Sequence, residues 1–236
     1  MSTRFRELAW SDTEMGVLSL RWRLDPTLEA EVYEVKLDDE YLMSSLFTAG
    51  EIELARLALA EAAGERLDVV VGGLGLGYTA QAVLADARVG SLTVVEALRP
   101  VIEWHEQGLL PDTAGLTADP RTRLVHGDFF AMLAAGTGPD PAAPDRRVHA
   151  VLIDIDHTPR HVLHPAHAAF YTPPGLRQLE RWLLPGGVFA LWSDDPPDPE
   201  FTSVVEDVFG SVQAHVVSFA NPFTGGESTN TVYIAT

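Results

Sequence analysis

The sequence predicts an α/β protein built on a mostly parallel sheet with helices on both faces. Two observations carry that reading. From Leu67 on, seven apolar runs of strand length alternate with helical patterns, and such near-continuous apolar strands belong to a parallel sheet buried on both sides. The last two runs are joined by a loop alone, "ANPFTGGEST", which predicts an antiparallel hairpin at the end of the sheet.

Taken in order, "GVLSLRWRLD" and "AEVYEVKLDDEYL" alternate like strands around a turn at Pro26. Residues 1–47 therefore read as a small β-hairpin region ahead of a main unit spanning 48–236. "TAGEIELARLALAEAAG" then reads as a helix, with Thr48 and Glu51 in capping-box spacing and Gly64 where the helix should stop. The apolar runs are 67–71, 91–96, 123–126, 148–155, 186–193, 214–219 and 230–235. Helices are expected over 77–86, 97–107, 129–135, 173–183 and 199–208, and "GTGPDPAAPD" is a surface loop.

Bulk composition narrows the function classes. Of 236 residues 46% are hydrophobic, enough for a sizeable core, and no apolar run approaches the roughly 18 residues of a membrane span. The start "MSTRFRELAW" has no signal-peptide character, so a cytoplasmic location is expected. Zero cysteines exclude disulfides, thiolate metal sites and a cysteine nucleophile. Sixteen basic against 34 acidic residues give a net charge of −18, a field that repels nucleic acid and anionic membranes and attracts a small cation. The same acidity also serves plain solubility.

The stretch "VVVGGLGLGYTAQ" places Gly72, Gly73, Gly75 and Gly77 between the first strand of the main unit and a helix. Glycines there let a backbone approach a ligand closely. The spacing departs from the dinucleotide fingerprint at Tyr78, and no lysine makes it a P-loop. A G-x-G-x-G turn suits an adenosyl amino-acid cofactor, whose carboxylate could meet free loop N–H groups. The second strand ends in Glu96, placed to accept both ribose hydroxyls, and Asp128 follows the third, where it could accept from an adenine amino group. Each acid alone is equally compatible with a helix cap or a solvated loop. Their order after the glycine turn points to a nucleoside cofactor, S-adenosylmethionine or its decarboxylated form ahead of NAD.

With those blocks in place the chain resembles the spermidine synthase family, a branch of the class I, Rossmann-like methyltransferase fold. "GGLGLG" matches the family's glycine loop, "VE" at Glu96 its second-strand acid, "LLPDTAGLTADPRTRLVHGD" its following stretch, "DIDHTP" its catalytic loop, and "AFYTPPGLRQLERWLLPGGVFAL" its next helix and strand. The resemblance implies a seven-stranded, mostly parallel sheet with an antiparallel C-terminal hairpin, a small N-terminal β region and a tendency to form homodimers. It also implies departures. Where the family's loop carries an aspartate that holds the amine of decarboxylated S-adenosylmethionine, this chain has Gly75, and the second catalytic-loop aspartate falls on His157 unless Asp156 replaces it by a one-residue shift.

The catalytic edge is expected beyond the carboxyl ends of the strands. Asp154, the family's first catalytic-loop aspartate, is the main candidate to bind an acceptor ammonium and take its proton. Asp156 shares its direction if the strand extends that far, or caps a following helix. His157, His161, His164 and His167 gather four of the eight histidines in a short segment, at spacings of one helix face. Pro159 and Pro165 interrupt such a helix, so no metal site is expected and the histidines read as a substrate-covering loop or as scattered surface groups. Asp194 and Asp195 lie at the same rim, and Tyr41 with "MSSL" is expected to roof the pocket. The reading is thus a transferase that moves a methyl group from S-adenosylmethionine to a small amine-type acceptor. The alternatives are aminopropyl transfer from the decarboxylated cofactor and a non-catalytic nucleoside-binding protein.

Overall fold

The computed structural model describes residues 4–236. Strands β1 (Phe5–Thr13), β2 (Gly16–Leu24), β3 (Glu31–Leu37) and β4 (Glu40–Ser44) form a four-stranded antiparallel sheet in sequence order. The expected hairpin is its middle pair, β2 with β3. β1 escaped sequence reading because most of "FRELAWSDT" is exposed, which leaves no apolar alternation to detect. β4 is a five-residue edge strand held by β3 alone.

Helix α1 (Ala49–Glu61) leads into the main sheet. Thr48 makes no side-chain cap, so the expected capping box is not formed. The sheet then alternates as β5 (Leu67–Gly72), α2 (Tyr78–Ala85), β6 (Val89–Glu96), α3 (Arg99–Glu106), β7 (Thr122–His126), α4 (Phe129–Ala134), β8 (Val148–Ile153), α5 (Pro173–Glu180), β9 (Leu183–Ser193), α6 (Pro199–Phe209), β10 (Val212–Asn221) and β11 (Gly226–Ala235). Its strand order is β10-β11-β9-β8-β5-β6-β7, parallel from β9 to β7, with β11 antiparallel to both β9 and β10.

Alternation along each strand feeds two cores. Val69 and Val71 of β5 face a cluster with Leu54, Val83 and Val101 from α1, α2 and α3. Val70 faces the other, with Phe129, Leu176 and Phe201 from α4, α5 and α6. Leu18, Leu20 and Val35 of the small sheet join the first cluster together with Leu74 and Leu76, so that sheet packs beside the glycine turn. The strand order reverses between β5 and β8, which opens a crevice at their carboxyl ends. β8 stops at Ile153, two residues earlier than the apolar run suggested.

Candidate active site

The glycine turn is closed by its own backbone and braced by α3. Gly73 has φ +93 and its missing Cβ would lie 2.0 Å from the Asp154 carbonyl oxygen, so only glycine lets β5 and β8 exit side by side. The His105 Nε2–H meets the Gly75 carbonyl at 2.9 Å, and the Thr113 hydroxyl donates to the Leu76 carbonyl at 2.9 Å. Burial holds His105 below its ordinary range, in keeping with a neutral ring. Gly77 starts α2 in the left-handed region at φ +89.

The turn's N–H groups are engaged, contrary to the expectation that they stand free. Gly73 donates to the Val95 carbonyl and Gly77 to that of Leu74. Leu74 donates to Glu96 at 2.9 Å, and Gly75 also faces that carboxylate. Leu76 alone meets a sulfur, the Met43 Sδ at 3.2 Å.

Glu96 sits where expected, at the tip of β6, 9% exposed. It also accepts from the Leu98 N–H at 2.8 Å, so its oxygens tie the turn to the start of α3. Burial is the main influence on it and pushes its carboxyl up, while the Leu98 and Leu74 amides pull down. Asp128 is exposed and caps α4 through the Ala131 N–H at 3.0 Å.

A cavity of about 80 Å³ lies at the crevice. Leu74, Gly75, Leu76 and Gly77 form its floor, Asp154, Ile155, His157 and Leu163 one wall, and Glu51, Tyr78 and Trp192 another, under Leu42 and Met43 from β4. Asp154 follows β8 and accepts from the Thr79 hydroxyl at 2.6 Å. Burial pushes its carboxyl up to about 6, opposed by the Thr79 bond. Glu51, in the first turn of α1, is pushed up to about 8, first by burial and then by the charge of Asp154. Both carboxyls are thus raised by burial, and the charge of Asp154 adds to the rise at Glu51, so the two disfavour being ionised together.

Several expected site residues lie elsewhere. Asp156 does not share the direction of Asp154, because β8 has already ended. It is buried on the far side and accepts from the Leu163 N–H (2.7 Å), His167 Nδ1 (2.8 Å) and the Tyr171 hydroxyl (2.8 Å), which fastens the loop after β8. Tyr41 is 59% exposed and stacks on Lys36 instead of roofing the cavity; its neighbours Leu42 and Met43 do that. His157 lines the cavity and reaches Glu40 at 3.2 Å through Nε2. His161 is exposed and packs its ring 5.0 Å from that of His157, outside the lining. The four histidines share no helix face, since the segment is a loop followed by a short 3-10 turn, Pro165–Ala169. Asp194 and Asp195 are exposed beyond the rim, Asp194 accepting from the Asn230 amide at 2.9 Å. The far hairpin folds its Phe223 against Phe47, at 6.0 Å between ring centres. Among the described residues no group of three or more His, Asp or Glu side chains is placed to hold a metal ion.

Three residues carry no site signal in the sequence: Glu51 reads as a capping residue, Thr79 as an ordinary helix residue and Met43 as part of the "MSSL" segment. Each meets its partner only through tertiary packing.

This arrangement is a Rossmann-like fold of the kind seen in class I methyltransferases, with an added N-terminal antiparallel sheet. More particularly, the fold is that of the spermidine synthases. A crystal structure of spermidine synthase in complex with the transition-state analogue AdoDATO matches with a TM-score of 0.75 and 16% identity, over 98% of this chain and 73% of that one. Spermidine synthase from Thermotoga maritima matches at 0.73 and 17%, over 98% and 72%. Human methyltransferase-like protein 13 in complex with SAH matches at 0.54 and 19%, over 80% and 79%. No family profile matches the sequence and no curated protein matches it, so the likeness establishes the fold. No helix among the described residues is long and apolar enough to cross a membrane.

Proposed function

We propose that this protein is a transferase using S-adenosylmethionine and that it methylates the nitrogen of a small cationic amine. The observation that carries the reading is the Glu51–Asp154 pair in a cavity against the glycine turn, whose apolar lining includes Leu74, Leu76, Ile155, Leu163 and Trp192. The groups around the glycine turn support the cofactor: Glu96 at the tip of β6 would accept from the ribose hydroxyls and Asp128 after β7 from the adenine amino group, both beyond the cavity lining, while the Leu76 N–H would donate to the carboxylate. The ligands in the related structures, AdoDATO in a spermidine synthase and SAH in a methyltransferase, are of the same adenosyl class.

S-adenosylmethionine supplies a sulfonium-bound methyl carbon open to attack by a nitrogen lone pair. The protein's part is to deliver that nitrogen uncharged. Asp154, ionised above about 6, pairs with the acceptor ammonium and takes its proton. Thr79 fixes the carboxylate's orientation. Glu51, protonated at neutral pH, offers a neutral hydrogen-bonding partner beside it. Ile155, Leu163 and Trp192 keep water from the nitrogen. The turn bears no acidic side chain at Gly75, which favours the carboxylated cofactor over the decarboxylated one.

The test uses S-adenosylmethionine carrying a labelled methyl group and a panel of primary and secondary amines, with wild-type protein and Asp154→Asn. Labelled methylamine product from the wild type and a loss of about two to four orders of magnitude in the variant are expected. Transfer of an aminopropyl group from the decarboxylated cofactor, with no methyl transfer, would replace this reading with polyamine synthesis.

A further inference from the structure

We propose that Met43 is the specificity-determining gate of the site, a thioether plug that the amino-acid arm of the cofactor must displace to reach the Leu76 N–H. The inference rests on the cofactor reading above and names how this chain regulates access to that site.

The hydrogen-bond accounting of the turn leads to it. Across Gly73–Gly77, four N–H groups face oxygen and the fifth, Leu76, faces the Met43 sulfur at 3.2 Å. A thioether is a weak acceptor, so an incoming carboxylate is the stronger partner for that N–H. Met43 also fills the space over Gly75, where its Sδ and Cε lie 2.6 Å from the position a Cβ would take. The cavity beneath is about 80 Å³, against roughly 300 Å³ or more for sites that enclose a small ligand. Displacing Met43 opens volume and frees the donor in one movement.

The strand that carries the plug is built to yield. β4 is short, pairs with β3 alone, and its register with β3 is interrupted between Val35 and Lys36. Its contact with the opposite wall runs through Glu40, at 3.2 Å from His157 Nε2. Methionine suits a plug that leaves and returns, because it is unbranched and soft.

The experiment is calorimetric titration of wild type, Met43→Leu and Met43→Ala with S-adenosylhomocysteine, which has the amino-acid arm, and methylthioadenosine, which lacks it. Met43→Ala should bind S-adenosylhomocysteine at least about tenfold tighter than wild type, a difference of about 1.4 kcal/mol, with methylthioadenosine changed far less. Met43→Leu keeps the bulk without the sulfur acceptor. It should retain the discrimination against the arm but lose the Leu76 amide's hydrogen-exchange protection. Equal shifts for both nucleosides, or none in either variant, overturn the gate while leaving the cofactor reading intact. Failure of all three proteins to bind either nucleoside overturns the cofactor reading itself.

Discussion

Thr79 donates its hydroxyl to Asp154 Oδ2 at 2.6 Å, across the junction of the glycine turn and the end of β8. The bond favours the carboxylate form and works against burial, which has pushed the group up to about 6. Thr79→Val removes the bond, so the Asp154 carboxyl rises further. The acid limb of the pH–rate profile should then move to higher pH, with turnover lost more at pH 6 than at pH 9. Asp154→Asn should abolish the limb. An unmoved limb in Thr79→Val would mean that another group takes the proton.

Glu51 yields a stability prediction of definite sign. Its carboxyl is raised from 4.5 to about 8 by burial and by Asp154. The native state therefore holds its proton where the unfolded chain has released it, and stability falls as pH rises between those values. Thermal unfolding of Glu51→Gln should match wild type below about pH 4.5 and exceed it at pH 8. Asp154→Asn removes the second cause and should bring Glu51 down, leaving the effect of burial. Parallel melting curves for wild type and Glu51→Gln at all pH values would remove Glu51 from the pair.

Gly73→Ala tests the junction itself. The position has φ +93, and a methyl group would meet the Asp154 carbonyl at 2.0 Å. The two strand ends would have to separate, at a cost on the order of 3 kcal/mol in chemical denaturation. Gly108, also in the left-handed region but with nothing near its Cβ position, should lose only about 1 kcal/mol on the same change. Equal losses would show that crowding at Asp154 is not what requires glycine.

Glu96 braces the glycine turn and, on the proposed function, accepts from the ribose, so its substitution should affect both stability and nucleoside binding. Glu96→Gln presents an amide to N–H groups that now meet carboxylate oxygens, including those of Leu74 and Leu98. A loss of about 1–3 kcal/mol in stability is expected for a buried donor left unpaired. Nucleoside affinity should fall roughly tenfold or more, each charge-assisted bond to ribose being worth about 1.5–3 kcal/mol. Wild-type affinity in a destabilised variant would confine Glu96 to bracing the turn.

The sheet was legible because its signals are local. Val69–Val71, the glycine turn and Glu96 announce a strand, a tight exit and a strand-tip acid within a short span. The position of Asp154 followed from the same logic. Asp156 could share the direction of Asp154 only if β8 ran past Ile153; the strand ends there and the loop turns inward onto His167 and Tyr171. Asp194 and Asp195 sit at the right end of the sheet, yet β9 delivers them to solvent. Glu51 and Met43 were illegible for another reason. Their importance comes from meeting Asp154 and Leu76 across long sequence separations, and no periodicity records that.

On the proposed function, the glycine turn receives the carboxylated cofactor. The most direct measurement is calorimetric titration of the wild-type protein with S-adenosylmethionine and with its decarboxylated form. The turn carries no acid at Gly75, and one N–H at Leu76 can be given to a carboxylate. S-adenosylmethionine should therefore bind at least about tenfold tighter, roughly 1.4 kcal/mol. A protein that binds the decarboxylated form more tightly, and makes spermidine from putrescine with it, would contradict the account.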